Sequence, residues 1–278
     1  MSLFFTISII FFFLLRHRFL WHSRSLNIYK KGEVSFIAHR GCTDSAPENT
    51  VASFMAAVEK GFKSIEMDIC TLKDGSLICS HNFDLEKETN GTGLVNQKRF
   101  EEIKNFDTGV YTHPNNKQKI PLLKDVIKVI PKNILLNIEI KCLTKFDFST
   151  VKSLIKFYKK NLNEHKVVIS CFNPLVVLYI RIFTPEIKIA FLAETDRMAD
   201  LAVWFHPDYL HLEASLISKK RILYFNKYGI EVVAWTVNNL PAIDWCKNLG
   251  IEAIITDNSK VIEYYNERNK CARIKKPF

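Results

Sequence analysis

No CxxC pair, internal repeat, Gln/Asn tract or Pro-rich linker interrupts the 278 residues. The missing CxxC argues against a zinc ribbon or a thioredoxin-type redox motif. With no repeat or linker to divide the chain, one catalytic domain with an N-terminal appendage is the economical reading. No basic-aromatic stripe or known nucleic-acid motif occurs, so nucleic acid is not an expected partner. The seven cysteines are odd in number, and Cys70, Cys79 and Cys171 lie in apolar runs. Free thiols in such runs behave as small core hydrophobes, which points to a reducing compartment.

What is present is globular. Apolar residues make up 47% and charged residues 24%, enough for a large core, and the length suits a single α/β barrel. The formal charge of +10 favours anionic partners without choosing among them. It is spread through Lys-rich helices and a basic tail, residues 266–278, that carries Arg273, Lys275 and Lys276; solvated helix faces account for most of it.

The first 22 residues form a hydrophobic N-terminal segment. Leu3 to Leu15 is apolar apart from Thr6 and Ser8, and Arg16-His17-Arg18 follows at once. The run is short against the roughly 20 residues that span a bilayer. It lacks both the leading positive charge and the small-residue cleavage site of a secretory signal. With Phe19, Leu20 and Trp21 it reads as a signal-anchor or interfacial helix over residues 3–21. The basic flank would then stay cytoplasmic and place the domain membrane-associated, facing the cytoplasm. A packing helix, with the domain simply cytoplasmic, is the alternative.

From residue 33 to about 265, short β-branched or apolar runs alternate with amphipathic stretches. Strands are expected at Val34–Ala38, Ser64–Thr71, Leu77–Ser80, Ile134–Lys141, Val167–Cys171, Lys188–Leu192, Tyr209–Leu212, Glu231–Thr236 and Ala253–Thr256. Helices are expected at Asn49–Lys60, Phe148–Asn161, Ser218–Tyr228 and Leu240–Asn248. This βαβα rhythm implies a mostly parallel sheet. About eight such units closing on themselves make a TIM-type (β/α)8 barrel, with a doubly wound sheet as runner-up.

Nine strands are one too many. Between Thr71 and Ser76 there is no room for a crossover helix, whereas Asp74-Gly75 is a two-residue hairpin signal. That turn would set Cys70 opposite Cys79 and Asp68 opposite His81, with Glu66 on the face of Asp68. Residues 82–122 form an insertion, with a helical patch over Val95–Asn105 and a polar loop over Thr112–Lys119.

Two carboxylates at i and i+2 on a strand suit a hard divalent cation such as Mg²⁺ or Ca²⁺. A third acid, Glu139, shares a face with Asn137 and Lys141 in an otherwise apolar strand, a costly arrangement unless something polar needs it. His39 ends the opening strand, and catalytic groups of a barrel collect at strand C-terminal ends. His206 and His211 read as core histidines, and Asp257 as a helix cap.

In order, the segments are FIAHRGCTDSAPENTVASF, IEMDICTLKDGSLICSHN, ETNGTG, LNIEIK, VISCFNP, VVAWTVN and IEAIITD. From about Val34 to about Asp257 the chain thereby resembles the glycerophosphodiester phosphodiesterases, with a barrel of the phospholipase C-like type. The resemblance implies hydrolysis of glycerophosphodiesters to sn-glycerol 3-phosphate and an alcohol. Glu66, Asp68 and Glu139 match metal-binding acids, and His39 and His81 match a general acid/base pair whose assignment stays open. Arg40 and Lys141 match phosphate-holding cations. Glu48 matches an acid that touches the metal or orients His39 or Arg40. Phe172 and Trp235 match aromatic positions near the substrate's organic part. The chain departs at Asn82, where the family commonly carries aspartate after the histidine. A membrane-tethered lysophospholipase D on the same fold is the alternative, and a silent lipid-binding barrel a further one.

Overall fold

The computed structural model describes residues 5–9, 11, 12, 15, 28, 29, 33–162 and 164–274, with the side chains of the last helix described through residue 268. Eight parallel strands close into a barrel. They are β1 (Ser35–Ala38), β2 (Ser64–Thr71), β6 (Leu135–Ile140), β7 (Val167–Cys171), β8 (Lys188–Ala193), β9 (Tyr209–Glu213), β10 (Glu231–Trp235) and β11 (Ala253–Thr256). Strand β1 pairs with both β11 and β2, which closes the ring and excludes the doubly wound alternative. Helices α1 (Val51–Glu59), α3 (Leu123–Val129), α4 (Ser149–Asn161), α5 (Pro174–Phe183), α6 (Asp196–Phe205), α7 (Lys219–Asn226), α8 (Leu240–Asn248) and α9 (Val261–Ile274) follow the strands. The sequence pattern misses α3, α5, α6 and α9. The entry to α1 is locally encoded: Thr50 caps it and Ser53 returns the bond, a reciprocal cap that satisfies two free amides.

Side chains alternate across each barrel strand. Phe36, Leu136, Ile169, Phe191, Leu210, Val232 and Ile254 face the helix layer. Their neighbours Ile37, Leu135, Val168, Ala190, Tyr209, Val233 and Ala253 fill the barrel's interior floor. Two residues further along, the same inward rows carry His39, Asn137, Ser170, His211 and Trp235, and on β2 Glu66 and Asp68. One periodicity therefore runs from apolar floor to charged mouth.

The hairpin exists, one residue out of the expected register. Strand β3 (Leu77–Cys79) pairs antiparallel with β2, setting Ile69 opposite Cys79 and Thr71 opposite Leu77. Leu72 N donates to Ser76 O and Gly75 N to Leu72 O, so the turn holds three residues, with Gly75 at φ +83 supplying the left-handed position. Asp68 accordingly meets Ser80, whose amide donates to the Asp68 carbonyl. His81 lies past the paired strand, where the chain leaves the ladder.

The insertion contains two single helical turns, the four-residue α2 (Phe100–Ile103) and a ribbon of β4 (Asp107–Thr108) with β5 (Gln118–Lys119). The helical patch expected over Val95–Asn105 is thus broken in two. Leu85, Val95, Ile103 and Ile120 pack with Leu72 and Ile78 as a separate small core.

The membrane-facing placement is overturned: among the described residues no helix is long and apolar enough to cross a membrane. Much of segment 1–22 and residues 275–278 lie outside the described residues.

Candidate active site

The site begins where β1 ends. Arg40 and Gly41 both take left-handed backbone conformations, φ 57 and 85. This turn aims the Arg40 amide at Glu66 Oε2, 2.9 Å away. The Arg40 carbonyl accepts from Asn49 N at 3.1 Å and Ser53 Oγ at 3.0 Å. A Cβ on Gly41 would stand 2.6 Å from the Ser53 backbone carbon, so glycine is required there.

Glu66, Asp68 and Glu139 each offer an oxygen, and the three lie within 4.8 Å of one another, all buried. Burial and the charges of Asp68 and Glu139 push the Glu66 carboxyl well above the usual range. Glu139 is raised by burial and by Asp68. Asp68 goes the other way: burial would raise it, but Lys141 and Arg40 hold it low. Glu66 Oε1 and Asp68 Oδ1 have no hydrogen-bond partner. Buried, mutually repelling carboxylates with oxygens that accept no hydrogen bond are what a divalent cation with oxygen ligands would satisfy. The donor set fits such an ion.

Two cations flank the acids. Lys141 Nζ lies 2.7 Å from Glu139 Oε1 and 3.4 Å from Asp68 Oδ1. Arg40 Nε lies 3.1 Å from Asp68 Oδ2, and its Nη1 lies 2.9 Å from Glu48 Oε1. Burial works against both charges, yet the neighbouring acids raise both above their ordinary values. Glu48 pairs with Arg40 and stands outside the three-acid cluster.

His39 and His81 face the same cavity, about 300 Å³ in volume, with Arg40, Glu66, Glu139 and Lys141. Burial, together with Lys141 and Arg40, pushes His81 down to about 4; its imidazole is neutral at pH 7. His39 Nδ1 donates to Asp257 Oδ1 at 2.7 Å, since an ionised carboxylate only accepts. Burial raises Asp257, but the bonds from His39 and Asn238 hold it below its ordinary range. Asp257 is therefore not a helix cap. Phe172 and Trp235 meet edge to face at 5.4 Å and, with Leu192 and Ile255, line the cavity's apolar side. Trp235 Nε1 donates to the His211 carbonyl at 2.8 Å. His206 and His211 are buried in the core.

Sequence reasoning gave no site role to three residues that contribute. Asp257 sits at the end of β11, the inward position two residues beyond Ile255; counting along the strand would have found it. Asn49 clamps Asp68 from both sides, Nδ2 donating to Asp68 Oδ2 and Oδ1 accepting from Asp68 N, each at 2.9 Å. Asn137 lines the cavity fully buried, with neither amide atom hydrogen-bonded. Asn82 donates to Glu88 Oε1, a residue to which no role attaches from the sequence.

Residues 39–261 match the model of the glycerophosphoryl diester phosphodiesterase family. A glycerophosphodiester phosphodiesterase of Caldanaerobacter subterraneus subsp. tengcongensis is 32% identical over 235 residues, covering 81% of this chain and 95% of that protein. Glycerophosphodiester phosphodiesterase 1 of Bos taurus is 23% identical over 84% of this chain and 81% of its own length. Among solved structures, a phosphodiesterase of Oleispira antarctica in complex with the product sn-glycerol-3-phosphate superposes with a TM-score of 0.77 at 26% identity, covering 84% of this chain and 96% of that one. The fold, the ordered site residues and these likenesses agree: the chain belongs to the glycerophosphoryl diester phosphodiesterase family.

Proposed function

We propose that this enzyme hydrolyses glycerophosphodiesters to sn-glycerol 3-phosphate and an alcohol, using a divalent metal ion at Glu66, Asp68 and Glu139 and the histidine pair His39 and His81. The observation that carries the reading is the convergence, in one cavity of about 300 Å³, of three buried acids, two cations and two imidazoles. The product bound by the Oleispira relative supports the phosphate ester that is released.

A phosphodiester is anionic and resists hydroxide, so its cleavage requires charge neutralisation and proton transfer. When bound, the metal supplies Lewis-acid stabilisation of the phosphoryl oxygens. Arg40 and Lys141 hold phosphate oxygens; their own acids keep them charged and pointed into the cavity. His39 and His81 take a proton from the nucleophile and return one to the leaving oxygen. Asp257 fixes the His39 ring and its tautomer. Phe172 and Trp235 bound the organic arm nearest the metal. That apolar side is confined to four residues, dimensions that suit a glycerol-sized group and give no support to an acyl chain.

The test is hydrolysis of glycerophosphocholine by the full chain with Mg²⁺ and with Ca²⁺. Turnover should vanish with chelator and return with metal. His39→Ala and His81→Ala should each lower kcat by about 10²–10⁴-fold. Absence of turnover on any glycerophosphodiester by folded, metal-loaded protein would overturn the reading.

A further inference from the structure

One pair of nucleophilic side chains beside the site takes no part in the reaction. Strands β6 and β7 run side by side, with Glu139 opposite Ser170. Just beyond β6 stands Lys141 and just beyond β7 stands Phe172, and both line the cavity. Lys141 Nζ lies 6.0 Å from the centre of the Phe172 ring. Because side chains alternate along a strand, the adjacent Cys142 and Cys171 turn to the opposite side and pack against the main core. There the two sulfurs meet at 3.8 Å.

The two thiols are unequal. Among the described cysteines Cys142 alone is not buried, whereas Cys171 is enclosed. The contact with Cys171 lowers the Cys142 thiol, and burial raises that of Cys171. A more accessible, more acidic thiol against a buried one suits an attacking sulfur and its resolving partner. Cys171 Sγ also accepts from Asn173 N and donates to Ile140 O, each at 3.3 Å. Asn173 in turn caps α5 through Leu175 N and donates to Lys145 O. The sulfur pair is thereby tied to the residue before Lys141 and to the residue after Phe172.

We propose that Cys142 and Cys171 form a redox modification site, at which a hydroperoxide produces a disulfide that displaces Lys141 and Phe172 and disables the cavity. The Cys142 thiolate attacks hydrogen peroxide: an S–O bond forms, the O–O bond breaks, and the departing hydroxide takes up the Cys142 proton as water. Cys171 then attacks the Cys142 sulfur. An S–S bond forms, the S–O bond breaks, and a second water leaves with the Cys171 proton. The thiols together give up two electrons, and the peroxide is reduced to two waters. A disulfide is about 2.05 Å long, so the sulfurs must close by more than an ångström. The thiol hydrogen that Ile140 O accepts is lost at the same time. In a compartment that keeps thiols reduced such a bond is transient, which is what a switch requires.

The experiment treats the full-length, metal-loaded enzyme with hydrogen peroxide, blocks the remaining thiols, and maps peptides by mass spectrometry alongside hydrolysis of glycerophosphocholine. Expected are a linked Cys142–Cys171 peptide and a parallel fall in kcat of about tenfold or more, within the reach of an ångström-scale misplacement. Dithiothreitol should reverse both. Cys142→Ser should keep its basal activity and resist the same dose. Cys171→Ala should stop at the Cys142 sulfenic acid, which dimedone traps, and yield no linked peptide. Absence of the linked peptide in the wild type, full activity of the linked protein, or equal loss in Cys142→Ser overturns the proposal. Calorimetry with sn-glycerol 3-phosphate reads the cavity without turnover. Binding weakened about tenfold in the linked protein, the scale of one charge-assisted contact, upholds the proposal, and unchanged affinity overturns it. If no diester turns over, the proposed function fails, while the linked peptide and the weakened binding still uphold the switch.

Discussion

His39 Nδ1 and Asp257 Oδ1 lie 2.7 Å apart across 218 residues of chain. The contact joins the ends of β1 and β11, the first and last barrel strands, and barrel closure brings those ends together. A carboxylate that accepts the Nδ1 hydrogen leaves Nε2 as the nitrogen available to the substrate. Asp257→Asn should therefore lower kcat by at least about tenfold while leaving KM nearly unchanged, a smaller loss than His39→Ala, because the ring remains but loses its fixed tautomer. Steady-state kinetics on the two variants checks the order.

Metal occupancy should be visible in stability. At an ion concentration about 100 times its Kd, binding stabilises the folded state by about 2.7 kcal/mol, or a Tm rise of about 5–10 °C for a domain of this size. Glu66→Gln should abolish the rise and at the same time increase the Tm of the metal-free protein. The substitution removes the acid most strongly opposed by its neighbours yet keeps an oxygen for the Arg40 amide. Thermal melts with and without chelator separate the two effects.

In metal-free protein, the His81 ring should titrate near pH 4, below the ordinary histidine range, because it is partly buried beside Lys141 and Arg40. The sign follows: removing a neighbouring positive charge stabilises the imidazolium. Lys141→Met should thus raise the His81 value, and proton NMR of the ring resonances across pH 3–8 measures both.

Gly41→Ala should destabilise the fold by at least about 1–3 kcal/mol and reduce activity out of proportion to folded content. Its φ of +85 disfavours a side chain, and the added Cβ meets Ser53 backbone. Relieving that contact displaces the Arg40 turn, whose amide binds Glu66. Denaturant melts and specific activity corrected for folded fraction check it.

The barrel was legible because strand and helix periods alternate, and all nine sequence strands are present. The site was legible where residues two apart on one strand share a face: Glu66 with Asp68, and Glu139 with Lys141. The hairpin register was misjudged by one residue, since Asp74-Gly75 fits both a two-residue turn and the three-residue turn that forms. Tertiary burial of the interrupted segments between β2 and β6 selected the observed pairing. Helical spacing does not account for all four missed helices: α5 and α6 are more clearly amphipathic than α1, α7 and α8, which the pattern did reveal.

By itself, the sequence determined the barrel, the three acids and the two histidine motifs, because strand alternation and local turns act over a few residues. Tertiary structure decided that Asp257 holds His39, that Asn49 clamps Asp68 and that Glu88 stands against Asn82 and Glu48. Those contacts depend on which strand ends and loops meet when the barrel closes, a long-range geometry that no short-range pattern encodes.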